Sequence, residues 1–197
     1  IIGRLVGSEM CIRDRFYPVD FASSGSSQIG GNIATNAGGI NVIRYGMTRE
    51  WVAGLTVVTG KGEVLELNKG LIKNNTGLDF RHLFIGSEGI LGFITEATLK
   101  LTAPPKDPTV LVLGLSDMSA IMAVLDRIQS TTPLLAYEFF SELAVSKVVD
   151  HAGVARPFET RTPFYALVEF ERENDMTDAH VFEEVEQCME AVSYTHL

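Results

Sequence analysis

Cysteine is almost missing from this chain: Cys11 and Cys188 are its only two in 197 residues. That scarcity excludes a disulfide framework and a cysteine-rich metal site, and fits a reducing, cytoplasmic compartment. Basic side chains are also short, 16 Lys and Arg against 25 Asp and Glu, for a formal net charge of −9. Nucleic-acid binding, which asks for a basic stripe, is disfavoured. No window approaches 18 continuous apolar residues, so no transmembrane span is expected. His82, His151 and His180 lack neighbours at metal-ligand spacing, and each is expected to pack or face solvent. Neither a Ser-His-Asp order nor a paired-carboxylate signature is present, which leaves hydrolase chemistry without support. Glu183, Glu184 and Glu186 read as a solvated helix face, and Cys188 as a small core residue.

Glycine, by contrast, is concentrated. Residues 25–39 run Gly-Ser-Ser-Gln-Ile-Gly-Gly-Asn-Ile-Ala-Thr-Asn-Ala-Gly-Gly, with small hydroxyl and amide side chains between the glycines. Glycine lets backbone N–H groups turn toward a ligand, and its missing Cβ allows close approach. Ser26, Ser27, Asn32, Thr35 and Asn36 add uncharged donors and acceptors. Such a surface suits a large polar anion such as the pyrophosphate of a dinucleotide. Ile29, Ile33 and Ala37 recur every fourth residue, so the loop is expected to be packed rather than floppy. Two phosphate motifs fail here. Gly25 and Gly30 have P-loop spacing, but Gly31-Asn32 stands where Lys-Ser or Lys-Thr is required. Gly60-Lys61-Gly62 is followed by Leu65 rather than the third glycine of the NAD-type fingerprint.

Further motifs follow in order: Arg44-Tyr45-Gly46, Asn75-Thr76-Gly77, His82 to Gly89 (HLFIGSEG) and Leu91 to Thr95 (LGFIT). Together with residues 29–39 they resemble the FAD-dependent D-2-hydroxyacid dehydrogenases. Residues 18–24, Tyr137-Glu138-Phe139-Phe140 and residues 164–169 look most like the bacterial D-2-hydroxyglutarate dehydrogenases of that family. The resemblance covers residues 16–191. The chain departs from the family pattern at Leu78, usually Tyr, and Ile90, usually Thr; neither change removes a cofactor-binding backbone group.

The resemblance implies an FAD-binding domain of the vanillyl-alcohol oxidase and p-cresol methylhydroxylase type. It implies that Gly30 and Gly31 approach the FAD pyrophosphate, with Ser27 and Asn32 as side-chain partners. Thr35, Asn36, Gly38 and Gly39 would line the loop beside the isoalloxazine or ribityl chain. Glu88, Gly89, Gly92 and Ile94, with Gly86 and Ser87, would lie at the adenine and ribose end. The implied reaction oxidises a D-2-hydroxy acid, D-2-hydroxyglutarate first, to the 2-oxo acid with hydride passing to FAD. D-lactate or glycolate dehydrogenation and a non-catalytic flavin-binding module are the alternatives. An electron-transfer flavoprotein or a quinone would take the electrons. The resemblance leaves room for a divalent metal such as zinc in the parent enzyme. The metal ligands and the catalytic histidine belong to a stretch outside this chain, so no catalytic residue is assigned. The chain alone is expected to be inactive and to bind FAD weakly or not at all.

Residues 1–15 and 192–197 do not fit the family and resemble translated sequencing-adapter strings, so they are set apart from the fold. Between them the expected class is α+β, divided near the proline-rich stretch Ala103 to Pro108. Residues 16–103 are expected to be part of the FAD domain, and 104–191 the start of an α+β cap carrying substrate contacts. In the first, strands are expected over 51–59, 63–67 and 90–101, the first two joined by Gly60-Lys61-Gly62. In the second, strands 110–115, 134–140 and 164–170 alternate with helices capped at Ser116 or Asp117, over 141–149 and over 177–191. Met118, Ile121, Met122, Leu125 and Ile128 are expected to form the buried stripe of the first of those helices.

Overall fold

The structure, a computed structural model, describes residues 14–68, 70–71 and 73–172, with Glu183, Glu186 and Gln187. The chain divides into two units, Ile1–Pro104 and Pro105–Leu197.

In the first unit, α1 (Ile29–Ala34), α2 (Val42–Tyr45) and α3 (Thr48–Trp51) precede β1 (Val52–Val58) and β2 (Val64–Leu67). α4 (Arg81–Phe84) and β3 (Phe93–Leu99) follow. The sheet order is β2-β1-β3, antiparallel throughout. The β1–β2 hairpin closes as expected, with Thr59 N–H donating to Glu63 O at 2.9 Å and Gly62 at φ 81°. β3 is shorter than the expected 90–101, because residues 86–92 turn through Gly86, Glu88 and Gly89, all at positive φ. The apolar face of the sheet and α1 enclose Ile33, Val52, Leu55, Val57, Phe84, Ile85 and Ile94.

The glycine-rich segment is not all loop: Ile29–Ala34 is helical. Gly30 and Gly31 disfavour a helix by roughly 1 kcal/mol each. Tertiary packing overrides this, since fully buried Ile33 and partly buried Ile29 sit one turn apart on the core face. The expectation that this segment is packed therefore agrees with the structure.

The second unit has β4 (Pro108–Leu115), α5 (Met118–Thr131), β5 (Leu134–Ser141), α6 (Glu142–Ala152) and β6 (Phe164–Glu171). The sheet order is β4-β6-β5, with β6 antiparallel to both neighbours. β4 and β5 therefore run parallel with β6 between them, a split β-α-β unit. Asp117 caps α5, its side chain accepting from Ala120 N–H at 3.0 Å. Ser141 caps α6, and Gly153 at φ 65° ends it.

The stripe of α5 differs from the one expected. Ala120, Ile121, Val124 and Ile128 are buried, whereas Met118 and Met122 are more than half exposed. Small Ala120 and β-branched Val124 let the helix seat closely on Leu113, Leu115, Ala166, Val168 and Phe170. Tyr137 Oη donates to Ile121 O at 2.6 Å across the same contact. The helix expected over 177–191, with its acidic residues and Cys188, lies almost wholly outside the described residues.

Candidate cofactor cleft

The first unit holds a cleft of about 280 Å³ lined by Gln28, Gly30, Gly31, Ala34, Glu88, Gly89, Gly92, Phe93 and Ile94. One wall is α1, whose residues 30, 31 and 34 share a face by helical spacing. The other is the 86–92 turn with the start of β3. Backbone bonds join the walls: Gly86 N–H donates to Ile33 O at 3.0 Å and Glu88 N–H to Ala34 O at 2.9 Å. These capture the last carbonyls of α1, which a helix leaves without internal partners.

Six of the expected site residues thus share one cleft, although more than fifty positions separate the two groups. The others stand elsewhere. Ser27 Oγ accepts from Asn32 Nδ2 at 3.4 Å, and Thr35 Oγ1 donates to Gly31 O at 2.9 Å. Asn36, at φ 49°, accepts through Oδ1 from Arg49 N–H at 3.0 Å. Gly38 abuts Val42 and Met47, and Gly39 packs against the backbone of Asp20. A Cβ on Gly39 would lie 1.7 Å from Asp20 O. The backbone packing around Gly39 accounts for that glycine without any ligand.

The same test separates the cleft glycines. A Cβ at Gly31 or Gly89 would meet nothing within 4 Å, so these face open space. At Gly92 it would approach Val57 Cγ1 at 2.7 Å and Val58 O at 2.8 Å, so this glycine lets β3 begin against β1. An open backbone surface on two sides, flanked by the exposed ring of Phe93, could take part of an extended polar ligand. Gln28, Ala34 and Phe93 were not foreseen as lining residues. Helical spacing from Gly30 and Gly31 would have found Ala34, had residues 29–34 been read as helix.

Behind the cleft, arginines serve the backbone. Arg81 Nη1 donates to Val52 O and Ala53 O at 2.8 and 2.7 Å, and its guanidinium also pairs with Asp79. The Arg81 hydrogen bonds hold the Asp79 carboxyl below its usual range. His82 lies between Asp79, 3.4 Å from Nε2, and Arg49, 3.1 Å from Nδ1. Its expected packing or surface role matches this position. Thr48 is fully buried and donates through Oγ1 to Ala37 O at 2.8 Å, while Tyr17 Oη donates to it at 3.3 Å. Burial pushes the Tyr17 phenol up. Among the described residues no group of three or more His, Cys, Asp or Glu could hold a metal ion. Nor is any described helix long and apolar enough to cross a membrane.

Comparison with known proteins gives the family of the chain. Residues 8–68 match the family described as FAD binding domain, and residues 104–197 the FAD linked oxidases, C-terminal domain. The chain belongs to the FAD-linked oxidases, and FAD is the cofactor of that family. Within this class it is 59% identical over 175 residues to a D-2-hydroxyglutarate dehydrogenase of Stutzerimonas stutzeri, covering 89% of this chain and 38% of that one. The corresponding enzyme of Xanthomonas citri pv. viticola is 53% identical, over 88% of this chain and 37% of its own. The mitochondrial D-2-hydroxyglutarate dehydrogenase of Danio rerio is 36% identical, over 94% and 34%. This chain therefore spans little more than a third of the relatives it matches. Among solved structures, an alkyldihydroxyacetonephosphate synthase superposes with a TM-score of 0.67 at 22% identity, covering 93% of this chain and 35% of that one. That likeness speaks for the fold.

Proposed function

We propose that the protein carrying this chain oxidises a D-2-hydroxy acid, D-2-hydroxyglutarate before D-lactate or glycolate, to the 2-oxo acid. The observation that carries the reading is the 59% identity to a D-2-hydroxyglutarate dehydrogenase across both units. The open Gly31 and Gly89 faces of one cleft support it from the geometry. FAD, when bound, supplies the hydride acceptor. This chain's contribution is to bind and orient that cofactor. Gly30 and Gly31 offer backbone approach for the pyrophosphate, and Glu88, Gly89 and Ile94 form the facing wall. Ser27, Asn32, Thr35 and Asn36 act at one remove, through bonds that fix the course of the chain around α1. Residues 16–103 are assigned to the FAD domain and 104–191 to the beginning of the substrate cap. Electrons leave for an acceptor of the electron-transfer flavoprotein or quinone type. Catalytic groups and any metal ligands are supplied by sequence outside this chain.

A chimera provides the test. Residues 16–191 replace the matching segment of the Stutzerimonas stutzeri enzyme, and flavin content and turnover are read with an artificial electron acceptor. The expected product carries a flavin absorption spectrum and turns over D-2-hydroxyglutarate faster than D-lactate. A folded chimera without flavin, or one that prefers D-lactate, would overturn the corresponding half of the reading.

A further inference from the structure

We infer that Arg49, which lines no part of the cleft, is the positioning residue that sets its width. Its guanidinium spans two carbonyls of the far wall's support: Nη1 donates to His82 O and Nη2 to Ile85 O, both at 2.8 Å. Its own backbone N–H donates to Asn36 Oδ1 at 3.0 Å, just beyond the end of α1. One residue therefore ties the segment that leads into the 86–92 turn to the segment that leaves α1. The turn needs such a tie. Gly86 and Glu88 are at φ 83° and 51°, a left-handed conformation that a residue with a side chain, such as Glu88, adopts only under constraint. Backbone bonds to Ile33 O and Ala34 O hold the turn against α1 directly.

The absence of a side chain at Gly86 belongs to the same arrangement. A Cβ there would sit 3.2 Å from Asn36 Cβ and 3.5 Å from Arg49 Nη2. Gly86, Asn36 and Arg49 thus pack as one unit behind the cleft. The planar fork of arginine matters here, because two carbonyls three residues apart are met by two different nitrogens. Lysine keeps the charge but presents a single nitrogen. His82 Nδ1 lies 3.1 Å from Nη1. The consequence for cofactor affinity rests on the FAD reading above; the effect on the wall does not.

Hydrogen–deuterium exchange of the full 197-residue chain without flavin tests the assignment, read at the amides of Gly86 and Glu88. Arg49→Gln should speed exchange at both by about tenfold. Amides within β1 and the emission of Trp51, the sole tryptophan, should stay unchanged. Arg49→Lys should behave like Arg49→Gln. Unchanged exchange in Arg49→Gln, or full rescue by Lys, would overturn the proposal. Should Arg49→Gln loosen the whole sheet, Asn36→Gly decides, since glycine accepts φ 49° while deleting the acceptor. Acceleration confined to Gly86 and Glu88 upholds the assignment and unchanged exchange ends it. An FAD titration of the chimera proposed above separates the two readings. Gly31→Val fills the cleft without touching Arg49. If FAD binding ignores that change while Arg49→Gln still frees the two amides, the cofactor reading fails and the positioning role stands.

Discussion

The two units solve the same problem with different means. The second is held by apolar burial: α5 seats on a three-stranded sheet over Leu113, Leu115, Val124, Val168 and Phe170. The first has a smaller apolar cluster, and its long connections are fixed by side chains that bond to backbone carbonyls. Arg49, Arg81, Thr48 and Asn68 together reach the carbonyls of Ala37, Val52, Ala53, Leu71, His82 and Ile85. The difference follows from what each surface is for. A cleft that offers bare backbone to a ligand is built of glycines, and glycines bring no side chains to a core. Order must then come from polar clamps placed behind the cleft. Such clamps also satisfy the part-buried carbonyls of Ala37, Val52, Ala53 and Ile85.

The largest break in this comparison is expected in the second unit's core. Phe170→Ala should cost about 3–5 kcal/mol in urea unfolding followed by far-UV circular dichroism. A cost under about 1 kcal/mol would mean that burial does not dominate there.

Next comes a pair of glycines in the first unit that look alike in sequence. Gly39→Ala forces a methyl onto Asp20 O and should cost about 3 kcal/mol or more, since backbone on both sides must move. Gly31→Ala meets open space inside α1 and should gain up to about 1 kcal/mol of stability. Equal effects at the two positions, by thermal melts of both variants, would erase the distinction between packed and ligand-facing glycines.

Arg81→Met asks whether polar clamps carry the first unit. It strips donors from Val52 O and Ala53 O and takes the guanidinium away from Asp79. A loss of about 2–3 kcal/mol is expected in urea, read by Trp51 emission. No loss would show that water replaces the clamp at no cost.

The smallest effect near neutrality lies in the second unit's own polar cluster. Glu142 accepts from Tyr165 Oη at 2.8 Å, from Ser146 Oγ at 2.9 Å and from Arg156 Nη2 at 2.5 Å. These bonds, Tyr165 first, then Ser146 and Arg156, hold its carboxyl below the usual range. The lowered group stabilises the fold fully above the ordinary glutamate value of about 4.3, and the contribution drains as pH falls through the lowered value. Acid unfolding of Glu142→Gln should be flatter over that window than that of the parent. Superimposable acid profiles would remove Glu142 from the account.

Much of this was legible in the sequence. Strands such as Val110 to Leu115 announce themselves as apolar runs, and Asp117 before an apolar stripe marks a helix start. What failed was local preference against tertiary demand. Gly30-Gly31 reads as loop, yet Ile33 needs a helix to reach the core. Met118 and Met122 read as core, yet close seating on the sheet favours Ala120 and Val124. Gly31, Gly39 and Gly92 are identical letters whose neighbours differ: open space, the carbonyl of Asp20, and the β1 strand.

The sequence by itself determined the α+β class, the family and the presence of two glycine-rich clusters, because motif spacing and apolar periodicity are local properties. The tertiary structure alone decided that the two clusters face one cleft, which glycines are open to it, and that Arg49 ties its walls. Those depend on contacts between residues dozens of positions apart, where backbone carbonyls, present in every residue type, are the partners.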